Sequence, residues 1–478
     1  MKTNLILIVS ALLLSSCNDF LNVTPKGFTI PSKYIDYRYI MNEDSNMAKA
    51  QESFPPYLTD DILLGEVTMY QSFAAASEQF RRLYTFEHGA VFPDGVSDDF
   101  WLYTYNRIYM NNTVILEVMN STDGTDEEKR NCRAEALVGR AFEYMCLMGI
   151  YAPAYNAETA ATDLGVPLIF NIDVADLHYF RHTTAEVYAQ IEQDLAEALP
   201  DLYDKVPNPF RPAKFVANAF LARMYLMMGN YDKCLERAIL SLETSENLID
   251  LKEYTFRPDV STGRIIHKNT SDRYPEGMNN PENIYVRYMP TVFALNGAVY
   301  ASEDLLAVYA KDLPEGAVDK RRELWYVDDS FFNYYMFPGY SLYNPGIRVN
   351  VGLTNMEMML TAAECYARKG SADNLKEASR LYNLLRDHRI ENNVHVSFTN
   401  AEEALVKVLD ERRREFAILG SYRIVDLKRL NRDPRFAKTI THTVDGQTFT
   451  LPPNDNRYVM PLPPVVKGFR PDLPDIDR

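Results

Sequence analysis

Cysteine and tryptophan are scarce in this 478-residue chain, which contains five cysteines and two tryptophans. The cysteines form neither a CxxC pair nor the Cys/His spacing of a zinc site. The motifs HExxH, GxSxG, GxGxxG and GxxxxGK are also absent. Their absence argues against the commonest metalloproteases, serine hydrolases, dinucleotide-dependent enzymes and P-loop nucleotide hydrolases. We therefore predict no metal site and no cofactor.

Basic residues are in the minority, since 50 lysines and arginines face 66 aspartates and glutamates and leave a formal net charge of −16. An acidic surface repels phosphate backbones, so the chain is not expected to bind nucleic acid. Beyond the amino terminus no run of eighteen apolar residues occurs, and no transmembrane helix is predicted there. With 46% hydrophobic and 24% charged residues, the composition is that of a globular protein.

The amino terminus has the pattern of a bacterial lipoprotein signal. Lys2 is followed by an apolar run over residues 5–14, which is too short to span a bilayer, and then by Leu14-Ser15-Ser16-Cys17. We predict that residues 1–16 are a signal peptide and that Cys17 carries a diacylglycerol and a further acyl chain such as palmitate, enough for stable anchoring. The alternative is an ordinary secretory signal with an incidental cysteine.

The other four cysteines are far apart in the chain and are interpreted as buried thiols. A disulfide among them is possible in an exported protein, but spacing does not decide it. They are Cys132, Cys146, Cys234 and Cys365.

Helical patterns dominate the chain. Residues 126–151 place apolar or small side chains three and four positions apart, which predicts a helix with one buried stripe. Thr183 and Glu186 form a capping box that begins another helix, ending near Pro200. Residues 98–120, 212–229 and 302–311 are predicted to form further helices.

Residues 222–238 and 363–382 each show a helix with a tyrosine, a glycine stop and a second helix. We therefore predict a mainly α fold in which irregular tetratricopeptide-like helix pairs form a scaffold with long ligand-facing loops. Residues 251–350 supply those loops, because they hold Pro, Gly, Asn and Tyr in short runs with little helical period. Residues 451–478 contain seven prolines and are predicted to be extended and without helix.

Several motifs in a fixed order resemble one family. They are Cys17-Asn-Asp-Phe-Leu-Asn-Val-Thr-Pro, the helix with Trp101, Tyr105, Ile108 and Asn112, the helix Glu135-x-x-x-x-Arg140-Ala-Phe, the segment Glu411-Arg-Arg-Arg-Glu415-Phe-Ala followed by Gly420-x-x-Arg423-x-x-Asp426-Leu-Lys-Arg429, and the terminal Met460-Pro-Leu-Pro463. With the lipoprotein signal, this series is similar to the SusD/RagB outer-membrane lipoproteins of Bacteroidota.

The resemblance implies a function and a location. Residues 17–478 would form one SusD-like nutrient-binding body, with an N-terminal SusD-like part over about 17–230 and a C-terminal SusD/RagB part over about 231–478. The protein would be lipid-anchored in the cell outer membrane, exposed at the surface and without enzymatic activity. It would bind an oligosaccharide and present it to a SusC-like TonB-dependent transporter. The alternatives are a peptide- or protein-binding surface scaffold of the same fold and, more remotely, a surface hydrolase.

Aromatic residues in the irregular region are the candidates for ligand binding, because sugars stack an apolar C–H face on aromatic rings and need polar partners for their hydroxyls. The candidate residues are Trp325, Tyr300, Tyr340, Asn296, Asn333 and Tyr70. The alternative is that they only pack the loops. Trp101, Arg140 and the charged segment 411–429 are interpreted as structural, with Glu–Arg pairs that tie helices to their neighbours.

Overall fold

The computed structural model describes residues 31–43, 47–50, 54–64, 74, 76–93, 98–173, 175–176, 178–257, 264–289, 300–331, 334–343 and 347–478. The predicted acylation site Cys17 and the ligand-binding candidates Tyr70, Asn296 and Asn333 lie outside these ranges. Across the described ranges, no helix has the length and apolarity needed to cross a membrane.

Helices form most of the regular structure. They are α1 (Tyr34–Asn42), α2 (Glu78–Tyr84), α3 (Asp99–Glu117), α4 (Asp126–Tyr151), α5 (Thr184–Ala198), α6 (Lys214–Met228), α7 (Tyr231–Leu242), α8 (Glu303–Ala310), α9 (Lys320–Trp325), α10 (Asn355–Lys369), α11 (Ala372–Asp387), α12 (Ala401–Phe416), α13 (Tyr422–Leu430) and α14 (Pro464–Phe469). The prediction of a mainly α fold is confirmed.

Strands are short by comparison. They are β1 (Ile62–Leu63), β2 (Tyr254–Arg257), β3 (Arg264–His267), β4 (Asn283–Tyr285), β5 (Tyr300–Ala301), β6 (Val318–Asp319), β7 (Tyr326–Phe331), β8 (Tyr334–Tyr343), β9 (Leu353–Thr354), β10 (Ile390–Glu391), β11 (Ile440–Val444) and β12 (Gln447–Leu451).

The helix predictions made from local patterns are confirmed. Helix α4 spans the predicted residues, and the Thr183 hydroxyl accepts a hydrogen bond from the Glu186 amide at 3.2 Å while the Glu186 carboxylate accepts one from the Thr183 amide at 2.7 Å. Asp98 caps α3 in the same way, by accepting from the amide of Phe100 at 3.0 Å. These helices begin where side-chain oxygens satisfy amides that have no partner in the helix.

The helices pack in pairs that form a continuous scaffold. Helix α4 packs between α3 and α5, while α10 packs against α7, α11 and α12. Gly229 ends α6 with a φ of 72° and Gly370 ends α10 with a φ of 70°. Glycine adopts this left-handed conformation without the steric cost that a Cβ adds. The predicted helix–glycine–helix units are therefore present, at α6–α7 and at α10–α11.

Residues 251–350 contain more strand than the sequence predicted. Helix α8 matches the predicted helix, but strands β2 to β8 also lie in the described part of this region. Strands β1, β5, β8 and β7 form an antiparallel sheet in that order. The tyrosines, phenylalanines and valines of this region favour strands once partners are in place. Strands β7 and β8 are close neighbours in the sequence, but the pairings of β5 with β1 and with β8 join residues that are far apart.

The prediction that residues 451–478 contain no α-helix was wrong in one place. Helix α14 begins after Pro463 with Pro464 as its first residue, where proline is tolerated because no backbone N–H is needed. Outside α14 the segment packs over the body as predicted, with the Met460 amide donating to the carbonyl of Ile150 at 3.0 Å.

The charged segment 411–429 is structural, as predicted. Glu411 is completely buried and accepts hydrogen bonds from Arg321 at 2.6 Å and from Arg386 and Arg414 at 2.9 Å. Burial disfavours ionisation, but the three guanidinium groups outweigh it and hold the pKa of Glu411 far below its usual range. This cluster joins α9, α11 and α12.

Arg140 and Trp101 also have structural roles. The Arg140 guanidinium on α4 binds both carboxylate oxygens of Asp194 on α5, at 2.7 and 2.8 Å. Trp101 is 8% exposed, and its ring meets Tyr151 edge-on with a centroid distance of 4.7 Å. Both residues therefore hold helices together, as the sequence indicated.

Candidate ligand-binding surface

In the sequence, strands of the sheet β1–β5–β8–β7 lie next to three segments that carry predicted binding residues. Strand β1 ends shortly before residues 65–73, which include Tyr70. Strand β5 begins directly after residues 290–299, which include Asn296. Strands β7 and β8 flank residues 332–333, which include Asn333. Antiparallel pairing of Leu63 with Tyr300 places β1 beside β5. In the sequence, all three segments thus adjoin strands of one small sheet.

Tyr300 and Tyr340 form a stacked pair on this sheet. Their ring centroids are 4.7 Å apart and the ring planes differ by 25°. Tyr300 is only 2% exposed, whereas Tyr340 is partly exposed. Burial and the neighbouring Tyr340 hydroxyl raise the pKa of Tyr300 to about 12, so its phenol stays neutral at physiological pH. Tyr340 is therefore the outer ring of the pair and Tyr300 its support.

Trp325 lies on the neighbouring side of the same region, at the end of α9. Its partly buried ring meets Tyr274 edge-on, with centroids 5.5 Å apart and an interplanar angle of 87°. Phe256 of β2 packs against both the Tyr300–Tyr340 cluster and the Trp325 cluster. The structure thus places the three predicted aromatic residues in adjoining clusters linked by Phe256.

A small cavity opens beside Trp325. Its volume is about 90 Å³, and its walls include Tyr274, Tyr343, Ile347 and Arg348. This volume is well below the roughly 300–1,000 Å³ of typical small-molecule pockets, so the cavity does not enclose a sugar chain. A large ligand would have to lie across the surface, with only a substituent entering the cavity.

The charged groups at the base of this cavity are paired within the protein. Arg389 donates to Glu282 at 2.6 Å and to Glu415 at 3.0 Å, and all three side chains are buried. Burial raises the pKa of Glu282 even though Arg389 opposes the shift. These carboxylates hold β4, α12 and the end of α11 together, and they are not positioned as an exposed acid–base pair.

Polar groups at the rim of the sheet are more accessible. Arg322 donates to the Asp328 carboxylate at 2.6 Å and to the Ser341 hydroxyl at 2.7 Å, and its guanidinium lies 5.3 Å from the centre of the Tyr326 ring. Asp328 remains 57% exposed. Successive residues of a strand point to opposite faces, so Ser341 and Tyr340 present different faces of the sheet.

Phe256 and Tyr274, which pack beneath this surface, were not predicted from the sequence. The only signal for them is the high density of tyrosine between residues 251 and 350, because the contacts themselves join distant parts of the chain. In the described part of the chain, no group of three or more His, Cys, Asp or Glu side chains is placed to hold a metal ion.

Part of the chain matches a known protein family, and its fold is similar to that of solved structures. A SusD-like family model described as "Starch-binding associating with outer membrane" matches residues 19–226. No curated protein matches. A SusD superfamily protein from Bacteroides thetaiotaomicron is 19% identical, with a TM-score of 0.70 over 93% of this chain and 100% of that one.

Two structures from Bacteroides vulgatus are similar as well. A putative sugar binding protein is 17% identical, with a TM-score of 0.69 over 94% of this chain and 99% of its own. A SusD-like carbohydrate binding protein is 18% identical, with a TM-score of 0.66 over 93% and 98%. Identities this low establish the fold. Residues 19–226 thus match the SusD-like family model, and the described body shares the fold of these SusD superfamily structures.

Proposed function

We propose that this chain is a cell-surface lipoprotein that binds an extracellular nutrient, specifically an oligosaccharide, and presents it to a SusC-like TonB-dependent transporter of the outer membrane. The description of the matching family model, which names starch binding and outer-membrane association, supports this proposal. Two similar structures are described as sugar- or carbohydrate-binding proteins, which supports the ligand class.

The Tyr300–Tyr340 stack is the observation that carries the proposal. The partly exposed ring of Tyr340 stacks on the buried ring of Tyr300 and is therefore preorganised. A sugar that binds to the Tyr340 ring does not have to order that ring first. Trp325 lies in the adjoining cluster, linked through Phe256. The surface therefore offers aromatic faces in two neighbouring places, which suits a chain of several sugar units better than a single sugar.

Binding without bond cleavage fits the electrostatics of the surface. Glycoside hydrolysis needs two carboxyl groups that flank the bond, one of them able to protonate the leaving oxygen. Near Trp325, Glu282 and Glu415 are buried and bound to Arg389. Asp328 at the sheet rim is bound to Arg322. We therefore assign structural and hydrogen-bonding roles to these carboxylates. The protein binds the oligosaccharide and does not hydrolyse it.

The proposed anchor is compatible with a body that stands away from the membrane. About 14 residues separate Cys17 from Pro31, where the described body begins, and an extended segment of that length spans at most ~50 Å. Acylation of Cys17 is tested directly by mass spectrometry of the amino-terminal peptide. The proposal requires a diacylglycerol and an amide-linked acyl chain on that residue.

Affinity electrophoresis tests the ligand class. Protein beginning at Asn18 is run through gels that contain a panel of polysaccharides, and parallel titrations use a peptide library. We expect one or more polysaccharides to retard the wild type and the matched control Tyr39→Ala, whose ring is exposed on α1, a helix that packs against α3 and α4. Tyr340→Ala is expected to migrate freely. Binding of peptides without any polysaccharide would instead favour a peptide-binding scaffold.

A further inference from the structure

Helices α7 and α10 pack side by side in opposite directions, with the start of α7 beside the end of α10. Two contacts fix this register. Lys369 forms an ion pair with Asp232, and the Arg368 guanidinium lies 4.4 Å from the centre of the Tyr231 ring. Cys234 lies about one helical turn after Tyr231 in α7, and Cys365 lies about one turn before Arg368 in α10.

The two cysteines meet at this point in the core. Both are free thiols and neither has any exposed surface. The packing and register of α7 and α10 bring Cys234 opposite Cys365. In agreement, the neighbouring Cys365 thiol, followed by burial, raises the pKa of Cys234. A disulfide requires two cysteines on facing positions of closely packed elements, and the register of α7 and α10 provides this.

We propose that Cys234 and Cys365 form a disulfide when the chain folds in an oxidising environment, tying α7 to α10. Exposure to such an environment rests on the export in the proposed function. The oxidant is a small disulfide such as oxidised glutathione. One cysteine thiolate attacks it and releases a first thiol, and the second cysteine then attacks the mixed disulfide and releases another. The two protons lost by the cysteines end on the two released thiols.

Burial sets when this reaction occurs. An oxidant cannot reach either thiol in the packed core, and the raised pKa of Cys234 leaves little thiolate to react. The bond therefore forms during folding, before α7 and α10 close on each other, and not by oxidation of the folded protein. Cys132 and Cys146 cannot form a bond of this kind with each other, since both lie on α4 about 21 Å apart.

Refolding tests the proposal with a protein that begins at Asn18 and so contains only these four cysteines. The unfolded, reduced chain is refolded in a glutathione redox buffer and alkylated in denaturant. We expect two alkylated cysteines per chain and a cross-linked tryptic product of residues 234–237 with residues 349–368. Cys234→Ala should lose this product, while the matched buried control Cys132→Ala should keep it. Reductant should lower the midpoint of thermal unfolding by a few degrees in wild type and leave Cys234→Ala unchanged.

Four alkylated cysteines after oxidative refolding would overturn the proposal. The protein isolated from membranes gives a second, independent reading. Acylated Cys17 together with a reduced Cys234–Cys365 pair would also overturn it. An unmodified Cys17 would instead contradict the proposed function, and the refolding result alone would then decide whether the pair forms a disulfide.

Discussion

Tyr340 lies against the ring of Tyr300, with centroids 4.7 Å apart, although the two residues belong to different strands and only Tyr340 reaches the surface. The buried ring fixes the orientation of the exposed one. Ligand binding by this surface should therefore depend on both residues, in different ways.

Substitutions of Tyr300 test whether this residue acts by holding the ring of Tyr340 in place. Tyr300→Phe keeps the buried ring and is expected to cost at most about 1 kcal/mol of stability, with little loss of polysaccharide affinity. Tyr300→Ala removes the ring beneath Tyr340 and is expected to cost roughly 3–5 kcal/mol and to weaken binding. Urea unfolding and calorimetric titration measure the two effects. Equal binding by both variants would show that Tyr340 does not rely on Tyr300.

Removal of the Glu411 charge should destabilise the protein strongly. Glu411→Gln leaves Arg321, Arg386 and Arg414 buried together without their shared carboxylate, which is expected to cost roughly 3–5 kcal/mol. Glu403→Gln on the exposed face of the same helix is the control and should change stability by less than about 0.5 kcal/mol. Similar free energies of unfolding for the two variants would remove the structural role assigned to this cluster.

Asp98 should make stability depend on pH. Burial is the main cause that raises the pKa of this carboxyl to about 7, against the amides of Trp101 and Phe100 that favour the charge. A carboxyl whose pKa is higher in the folded state binds more protons there, so its contribution to stability falls as pH rises from about 4 to 7 and is constant above that.

Asp98→Asn keeps a capping oxygen for α3 but cannot ionise. Relative to wild type, this variant should therefore gain roughly 2–3 kcal/mol between pH 5 and pH 8. Urea unfolding at the two pH values measures the gain. A difference between variant and wild type that stays the same at both pH values would contradict the assignment.

Two glycines at helix ends should respond differently to alanine. Gly229 and Gly370 both have positive φ, so alanine is expected to cost about 1 kcal/mol at either position. A Cβ on Gly229 meets no atom within 4 Å, whereas one on Gly370 would lie 3.0 Å from the Cβ of Ala401. Gly370→Ala should therefore lower the urea midpoint more than Gly229→Ala. The reverse order would indicate that α10 and α12 adjust easily at this contact.

The sequence predicts the helices well because their signals are local. The capping box at Thr183 and the glycine after α6 act within a few residues, and both helices begin or end where expected. Strand β1 illustrates the opposite case. Its pairing of Leu63 with Tyr300 joins residues far apart in the chain, and no local pattern in either strand specifies the partner.

In the candidate site, too, local sequence features are predictable and contacts between distant residues are not. Tyrosine density marks residues 251–350 as unusual, and Tyr300, Tyr340 and Trp325 lie there. The stacking of Tyr300 on Tyr340 and the bridging position of Phe256 follow from strand pairing, which sequence reasoning did not provide. The roles of Asn296, Asn333, Tyr70 and Cys17, and the division of the body near residue 230, stay predictions. The Cys234–Cys365 contact was equally invisible, since it depends on the register of α7 against α10.

The decisive test of sugar binding at Tyr340 is calorimetric titration with a polysaccharide that retards the wild-type protein in affinity gels. The titrated proteins are wild type, Tyr340→Ala and Tyr39→Ala. Loss of one stacked ring is expected to weaken affinity about tenfold or more, which corresponds to ~1.4 kcal/mol. We expect this loss for Tyr340→Ala and wild-type affinity for Tyr39→Ala. Undiminished binding by Tyr340→Ala, in a protein that is folded as wild type, would contradict this expectation.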